Sequence, residues 1–195
     1  IPLRLVGSEM CIRDSNLTYP TSTDFGFGTT NWAAECFIRP SSVTGTQYIF
    51  DFRNASATDT APTVYLNGTA LHFGVGNTSQ ATGGTLSTGT WYHVAVARSG
   101  GSTKLFLDGV QVGSTYTDTN NYGTTKPLVV GSDYNSGANA FAGHIDEVRI
   151  SKAAARYTAN FTSPTSAFGN DLNTVLLIHF DGCLLYTSDA ADEGL

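Results

Sequence analysis

The sequence predicts an all-β fold: a two-sheet antiparallel jelly-roll sandwich with one short helix near residues 151–157. Three observations predict it. Short apolar segments alternate with polar residues at period two, separated by Gly, Asn and Asp turn signals. The polar residues are mostly Thr, Ser, Asn and Gly, which suit turns and strand surfaces. Helical spacing is confined to Ser151-Lys152-Ala153-Ala154-Ala155-Arg156-Tyr157, one or two turns with Ser151 as the N-cap. So short a helix needs the sandwich to pack against.

The strands follow in order. In Trp32 to Arg39, Trp32, Ala34, Cys36 and Ile38 share one face, and Glu35, Phe37 and Arg39 share the other. Pro40 cannot donate to a ladder and ends the strand. Gly45 precedes Tyr48-Ile49-Phe50-Asp51-Phe52-Arg53, which alternates again. Strands at Thr63 to Leu66 and Leu71 to Val75 flank Asn67-Gly68, a hairpin cue. Trp91 to Arg98 comes next. Lys104 to Leu107 and Val110 to Val112 then flank Asp108-Gly109, a second such cue. Leu128 to Val130, His144 to Ile150 and Val175 to Phe180 complete the set, with a loop or linker from Thr158 to Asn173. Trp32 and Trp91 each open an apolar strand face and are expected in the core.

Composition limits the function classes. With 195 residues, 41% of them hydrophobic, there is enough chain for one domain with a full core. The net charge is −6 and no Lys/Arg run occurs, so the electrostatic footprint of a nucleic-acid binder is absent. Apolar stretches such as Val175 to Ile178 are too short to cross a bilayer, and nothing suggests a membrane-surface helix.

The two ends read differently from the middle. Met10-Cys11-Ile12-Arg13-Asp14 and Cys183-Leu184-Leu185-Tyr186-Thr187-Ser188 can be encoded by one DNA string read in opposite directions. That string resembles the transposon end of sequencing-library adapters. Residues 1–15 and 183–195 are therefore expected to be translated adapter, the alternative being two ordinary tails. On this reading the source is assembled environmental DNA, the natural chain continues past both ends, and Cys36 alone of the three cysteines is native.

Three stretches carry a family resemblance: Trp91-Tyr92-His93-Val94-Ala95-Val96-Ala97-Arg98, Leu105-Phe106-Leu107-Asp108-Gly109-Val110, and Ala142-Gly143-His144-Ile145-Asp146-Glu147-Val148-Arg149-Ile150-Ser151. In order and spacing they resemble the laminin G-like branch of the concanavalin A-like lectin/glucanase superfamily, as does Glu35-Cys36-Phe37-Ile38-Arg39-Pro40. The likeness covers roughly residues 17–168, within an expected domain of residues 16–168. The run Ala155-Arg156-Tyr157-Thr158, with Asn160-Phe161 and Pro164, is similar to versions in tailed-phage structural and tail proteins. The resemblance implies a first strand like Val175 to Gly182, which here stands at the end. Residues 169–182 are thus expected to be a linker plus a strand that opens the next repeat or folds back into the missing first-strand position.

The candidate sites follow. Glycoside hydrolysis needs two carboxyl groups flanking the bond. Asp146 and Glu147 are adjacent, so a regular strand sends them to opposite faces. Ile145, Val148 and Ile150 do not keep one parity, which leaves a bulge or two-sided burial open. Among the four histidines no metal-ligand spacing occurs. The resemblance implies a Ca²⁺ site on rim loops, with Asp133, Asn135 and Asp118 as candidate ligands; the alternative is backbone capping by Asx turns. Ligand binding on a sheet face points to Glu35, Phe37, Arg39 and Tyr92, and Tyr116, Tyr122 and Tyr134 form a second rim. The expected function is a non-catalytic carbohydrate- or surface-binding module of a larger extracellular or virion protein. Its partners would be a glycan or cell-surface ligand and neighbouring repeats of the same polypeptide. A ligand-free structural or oligomerisation spacer is the alternative, and a glycosidase a third reading.

Overall fold

The period-two alternation resolves into two six-stranded antiparallel sheets packed face to face, a jelly-roll sandwich. The structure is a computed structural model describing residues 16–54, 56, 58–134 and 139–180. The adapter reading of residues 1–15 and 183–195, and the candidate ligand Asn135, lie outside the described residues. The strands are β1 (Leu17–Ser22), β2 (Trp32–Pro40), β3 (Thr46–Asp51), β4 (Pro62–Asn67), β5 (Ala70–Val75), β6 (Thr78–Gly83), β7 (Tyr92–Ser99), β8 (Ser102–Leu107), β9 (Val110–Thr117), β10 (Lys126–Val130), β11 (Gly143–Lys152) and β12 (Thr174–Ile178). The first sheet runs β1-β10-β3-β4-β5-β6 and the second β12-β11-β2-β7-β8-β9. No helix of the described residues is long and apolar enough to cross a membrane.

Two-residue turns set much of the register. Asp108-Gly109, both at positive φ, joins β8 to β9 through the closing pair Leu107–Val110. This is the turn that best matches the right-handed twist of its strands. The β4–β5 turn is Gly68-Thr69, one residue later than the Asn67-Gly68 cue implies, because Gly68 alone takes positive φ and Asn67 pairs with Ala70.

The core lies between the sheets. Trp32, Ala34, Cys36 and Ile38 of β2 face it, with Val94 and Val96 of β7, Val64 and Leu66 of β4, and Leu71 and Phe73 of β5. Trp32 stacks on Phe27 with centroids 4.9 Å apart and meets Phe52 and Tyr122 edge-on. Trp91 stands outside this core: it precedes β7, is half-buried, and its ring lies 6.2 Å from His144. Odd positions of β7 face away from the core, so Trp91 shares the face of His93. In β11, Glu147 has φ +52 and the ladder slips between Asp146 and Arg149. That bulge is how Ile145, Val148 and Ile150 all reach the core despite their uneven spacing.

No helix forms at Ser151 to Tyr157. Ser151 and Lys152 stay in the ladder opposite Ala33 and Trp32, and Ala153 at φ +63 ends the strand. The Ser151 hydroxyl accepts from Arg156 Nε at 2.7 Å instead of capping a helix. Tertiary pairing thus overrides a weak local preference. The helical turn present among the described residues is a 3-10 turn at Thr23–Phe25, capped by the Ser22 hydroxyl.

Residues 153–173 form a strap across the outer face of the second sheet. Tyr157, Phe161 and Ala155 pack on Ala33, Ala95, Ala97 and Phe106, and Phe168 stacks over Phe37. The strap is fixed by Phe161 N–H to Gly109 O at 2.8 Å, Lys104 Nζ to Thr158 O at 2.6 Å, and Phe168 N–H to Glu147 Oε2 at 2.7 Å. β12 then runs antiparallel to β11, with Val148 opposite Ile178 and Ile150 opposite Leu176.

Candidate functional site

The outer face of the first sheet carries the candidate site, and a bulge in β3 shapes it. Strict alternation would put Tyr48 on the same face as Phe50 and Phe52. The ladder to β4 slips between Tyr48 and Phe50, so Ile49 and Phe50 both enter the core. Tyr48 and Asp51 are thereby left together on the outer face. Bulges re-aim side chains in this way.

From Tyr48 a row of directly paired residues crosses four strands: Tyr48 opposite Tyr65, Tyr65 opposite His72, and His72 opposite Thr82. The Tyr48 and Tyr65 rings are 5.1 Å apart, and Tyr65 and His72 stack at 4.9 Å with 9° between their planes. Tyr65 and His72 are half-exposed, and Ser79 and Thr82 are exposed. His72 Nδ1 lies 3.0 Å from the Ser79 hydroxyl and 2.8 Å from that of Thr82. Burial lowers the His72 pKa from its ordinary 6.5. Gly74 keeps the platform flat: a Cβ there would lie 2.6 Å from Thr63 Oγ1 and 3.3 Å from Tyr65 Cε1.

One end of the row is closed by Arg53. Its guanidinium sits 5.0 Å from the Tyr48 ring and 4.7 Å from the Tyr134 ring. Arg53 Nε donates to both Asp51 oxygens at 2.9 and 3.1 Å, Nη2 donates to Asp51 Oδ2 at 2.6 Å, and Nη1 donates to Asn77 Oδ1. Both members of the pair are buried. The Tyr134 backbone N–H also donates to Asp51, at 2.9 Å. Beside Asn77, a shallow recess of about 190 Å³ opens between Asp59, Thr60 and Gly76. The face thus offers aromatic planes, hydroxyls and an amide, arranged on paired strands.

Most residues singled out from the sequence lie elsewhere. Glu35 and Phe37 are on the outer face of the second sheet, as read, but they are 1% and 6% exposed because the strap seals them. Glu35 is bound by Arg149 Nη2 at 2.7 Å and the Tyr157 hydroxyl at 2.7 Å, with His93 Nε2 at 3.1 Å. Arg39 donates to Gly89 O at 3.1 Å. Tyr92 belongs to the opposite side: it shares parity with Val94 and Val96, packs on the core, and its hydroxyl accepts from Ser87 N–H. Tyr122 is fully buried against Trp32, and its hydroxyl donates to Asp118 at 2.7 Å. Burial and that carboxylate push its pKa far up. Tyr116 packs toward Phe73 and accepts from Asn120 Nδ2. Of the three rim tyrosines, Tyr134 alone reaches the platform.

Of the candidate calcium ligands, Asp118 and Asp133 lie among the described residues, and both accept hydrogen bonds from protein groups. The Asp118 carboxylate accepts from the Thr103 and Tyr122 hydroxyls and from Asn120, and lies 3.7 Å from Arg98 Nε. Asp133 accepts from Asn139 Nδ2 at 2.9 Å. The described residues contain no group of three or more His, Cys, Asp or Glu placed to hold a metal ion. The Asp118 carboxylate, fully buried and held by protein donors, does not fit a calcium ligand. Asp146 Oδ1 accepts the Glu147 and Phe180 amides, and Glu147 is bound by the Phe168 amide and lies 2.8 Å from His179 Nδ1. A larger groove of about 410 Å³ opens on the second sheet between Ala97, Ser102, Lys104, Thr115 and Tyr157. There the Lys104 ammonium and the Tyr157 hydroxyl are both committed to internal bonds.

The sequence reading missed Tyr48, Tyr65 and His72. The signal for two of them was present: placing Gly68 first in the turn sets Tyr65 opposite His72.

A family model described as the concanavalin A-like lectin/glucanases superfamily, of the laminin G type, matches residues 14–156. No curated protein matches the chain. Among solved structures, a protein of Bacteroides ovatus described as carbohydrate binding superposes with a TM-score of 0.65 at 16% identity, over 88% of this chain and 53% of that one. The chain thus spans about half the length of that protein. The CBM40 module of the Ruminococcus gnavus IT-sialidase, bound to α2,3 sialyllactose, gives 0.59 at 13% identity, over 77% and 91%. Domains LG4-5 of the mouse laminin α1 chain give 0.55 at 16%, over 86% and 48%. At these identities the likeness is one of fold.

Proposed function

We propose, from the premise that this chain belongs to the concanavalin A-like lectin/glucanases superfamily as a laminin G-type domain, that it is a non-catalytic glycan-binding module acting through the outer face of its first sheet. The observation that carries the reading is the cross-strand row Tyr48–Tyr65–His72, two half-exposed stacked rings beside hydroxyls on Ser79 and Thr82. Sugar rings present an apolar C–H face and a polar edge of hydroxyls, which such a surface can meet with ring planes and polar side chains. One structural relative described as carbohydrate binding and another bound to sialyllactose support the same class of ligand.

Catalysis has little support from the carboxylates. Asp146 and Glu147 are spent on backbone amides, and Glu35 is sealed under the strap. A module of this kind would serve a larger extracellular or virion protein, with affinity raised where several copies occur together. Within such a protein, β12 would hold the edge position that a first strand otherwise occupies, beside β11.

A glycan array with wild-type protein, Tyr65→Ala and His72→Ala, with and without EDTA, tests the reading. Binding should fall at least tenfold in each variant without loss of folding, and EDTA should leave it unchanged. A wild-type chain that binds no glycan favours the structural-spacer alternative.

A further inference from the structure

We infer that the site takes neutral glycans and rejects carboxylated ones, an inference that rests on the glycan-binding reading above. The cations of the first sheet and its connections are few. Strands β1, β3, β4, β5 and β6 contain no Lys or Arg. Lys126 of β10 is nearly buried, with Nζ 2.6 Å from Asp59 Oδ2. By sequence, Ala55, Ala57 and residues 135–138 are not cationic. That leaves Arg53.

Arg53 is an internal counter-ion. It is 2% exposed, its Nε and Nη2 are spent on Asp51, its Nη1 is spent on Asn77, and its flat faces are covered by Tyr48 and Tyr134. A sugar carboxylate placed on this face would lose water and gain no unpaired cation in return. It would also approach a chain of net charge −6. His72 does not supply the charge, since burial favours its neutral form. A neutral glycan meets none of these costs, and its hydroxyls match Ser79, Thr82 and Asn77, all exposed at the edge of the platform.

The test is an array of matched pairs, lactose beside sialyllactose and galactan beside polygalacturonate, probed with the full chain and with Tyr65→Ala. The expected result is Tyr65-dependent binding of a neutral member, at least tenfold tighter than its carboxylated partner. Tyr65-dependent binding in which the carboxylated member is held as tightly or more tightly overturns the inference and leaves the platform standing. No Tyr65-dependent binding of any member overturns both. Asp51→Asn adds a gain-of-function arm, because it releases the Arg53 charge. A folded Asp51→Asn should hold carboxylated members at least tenfold more tightly than wild type does, and one that still rejects them removes Arg53 from the account. Asp51 is buried, so if this variant fails to fold the wild-type preference decides alone.

Discussion

The Tyr157 hydroxyl donates a 2.7 Å hydrogen bond to the Glu35 carboxylate, joining the strap to the middle of β2 across 122 residues of sequence. Glu35 is 1% exposed, so this bond is made out of water, where a missing partner is not replaced by solvent. Tyr157→Phe removes the bond and leaves the ring stacked 3.6 Å from Phe161. The expected loss is about 1–3 kcal/mol. Urea denaturation followed by tryptophan fluorescence measures it; a change within experimental error would mean that the strap is held by its aromatic packing alone.

The same carboxylate gives the stability a pH dependence. Burial by itself would raise the Glu35 pKa, but the His93 hydrogen bond, the Arg149 charge and the Tyr157 hydroxyl outweigh it and hold it below the ordinary 4.5. A carboxylate lowered on folding stabilises the native state fully above its unfolded value. That stabilisation is lost as pH falls through the lower folded value. Urea midpoints at pH 7, 4 and 3 should therefore fall more for wild type than for Glu35→Gln. Parallel acid limbs would remove Glu35 as a source.

Gly109 is where the β8–β9 turn and the strap meet. It has φ +80, and a Cβ would lie 2.1 Å from Phe161 O. Gly109→Ala therefore combines backbone strain with a collision against main chain, and should unseat the strap around Phe161. Limited proteolysis should show faster cleavage between residues 157 and 165. Unchanged protection would mean that the strap docks without the Gly109 contact.

Stopping the chain at Leu172 removes β12 and uncovers the edge of β11 from Val148 to Ser151. An uncovered edge offers unpaired donors and acceptors to other chains. A lower melting temperature and concentration-dependent association in size-exclusion chromatography are expected. A monomer with the wild-type melt would show β12 to be dispensable.

The sheets were legible because the alternation is strong where both faces are constrained. Trp32, Ala34, Cys36 and Ile38 all reach the core from β2 as their spacing dictates. The parity of Tyr92 with Val94 and Val96 was equally legible, and it places Tyr92 on the core side rather than the outer face. The site was less so. The slip in β3 that turns Tyr48 outward is one residue in a ladder, and no local pattern marks it. The burial of Glu35 and Phe37 depends on contacts from Tyr157 and Phe168, more than a hundred residues away, in a segment whose local pattern suggested helix and loop. The pairing of Arg53 with Asp51 at i and i+2 was open to inspection, since Asp51 ends β3 and Arg53 follows it at the same parity.

Chemical-shift mapping with a glycan retained on the array tests the central claim most directly. The largest changes in ¹⁵N and side-chain ¹³C resonances should cluster at Tyr65, His72, Ser79 and Thr82, on one contiguous surface of the first sheet. Changes centred instead on Tyr157, Lys104 and Thr115, on the opposite sheet, would contradict it.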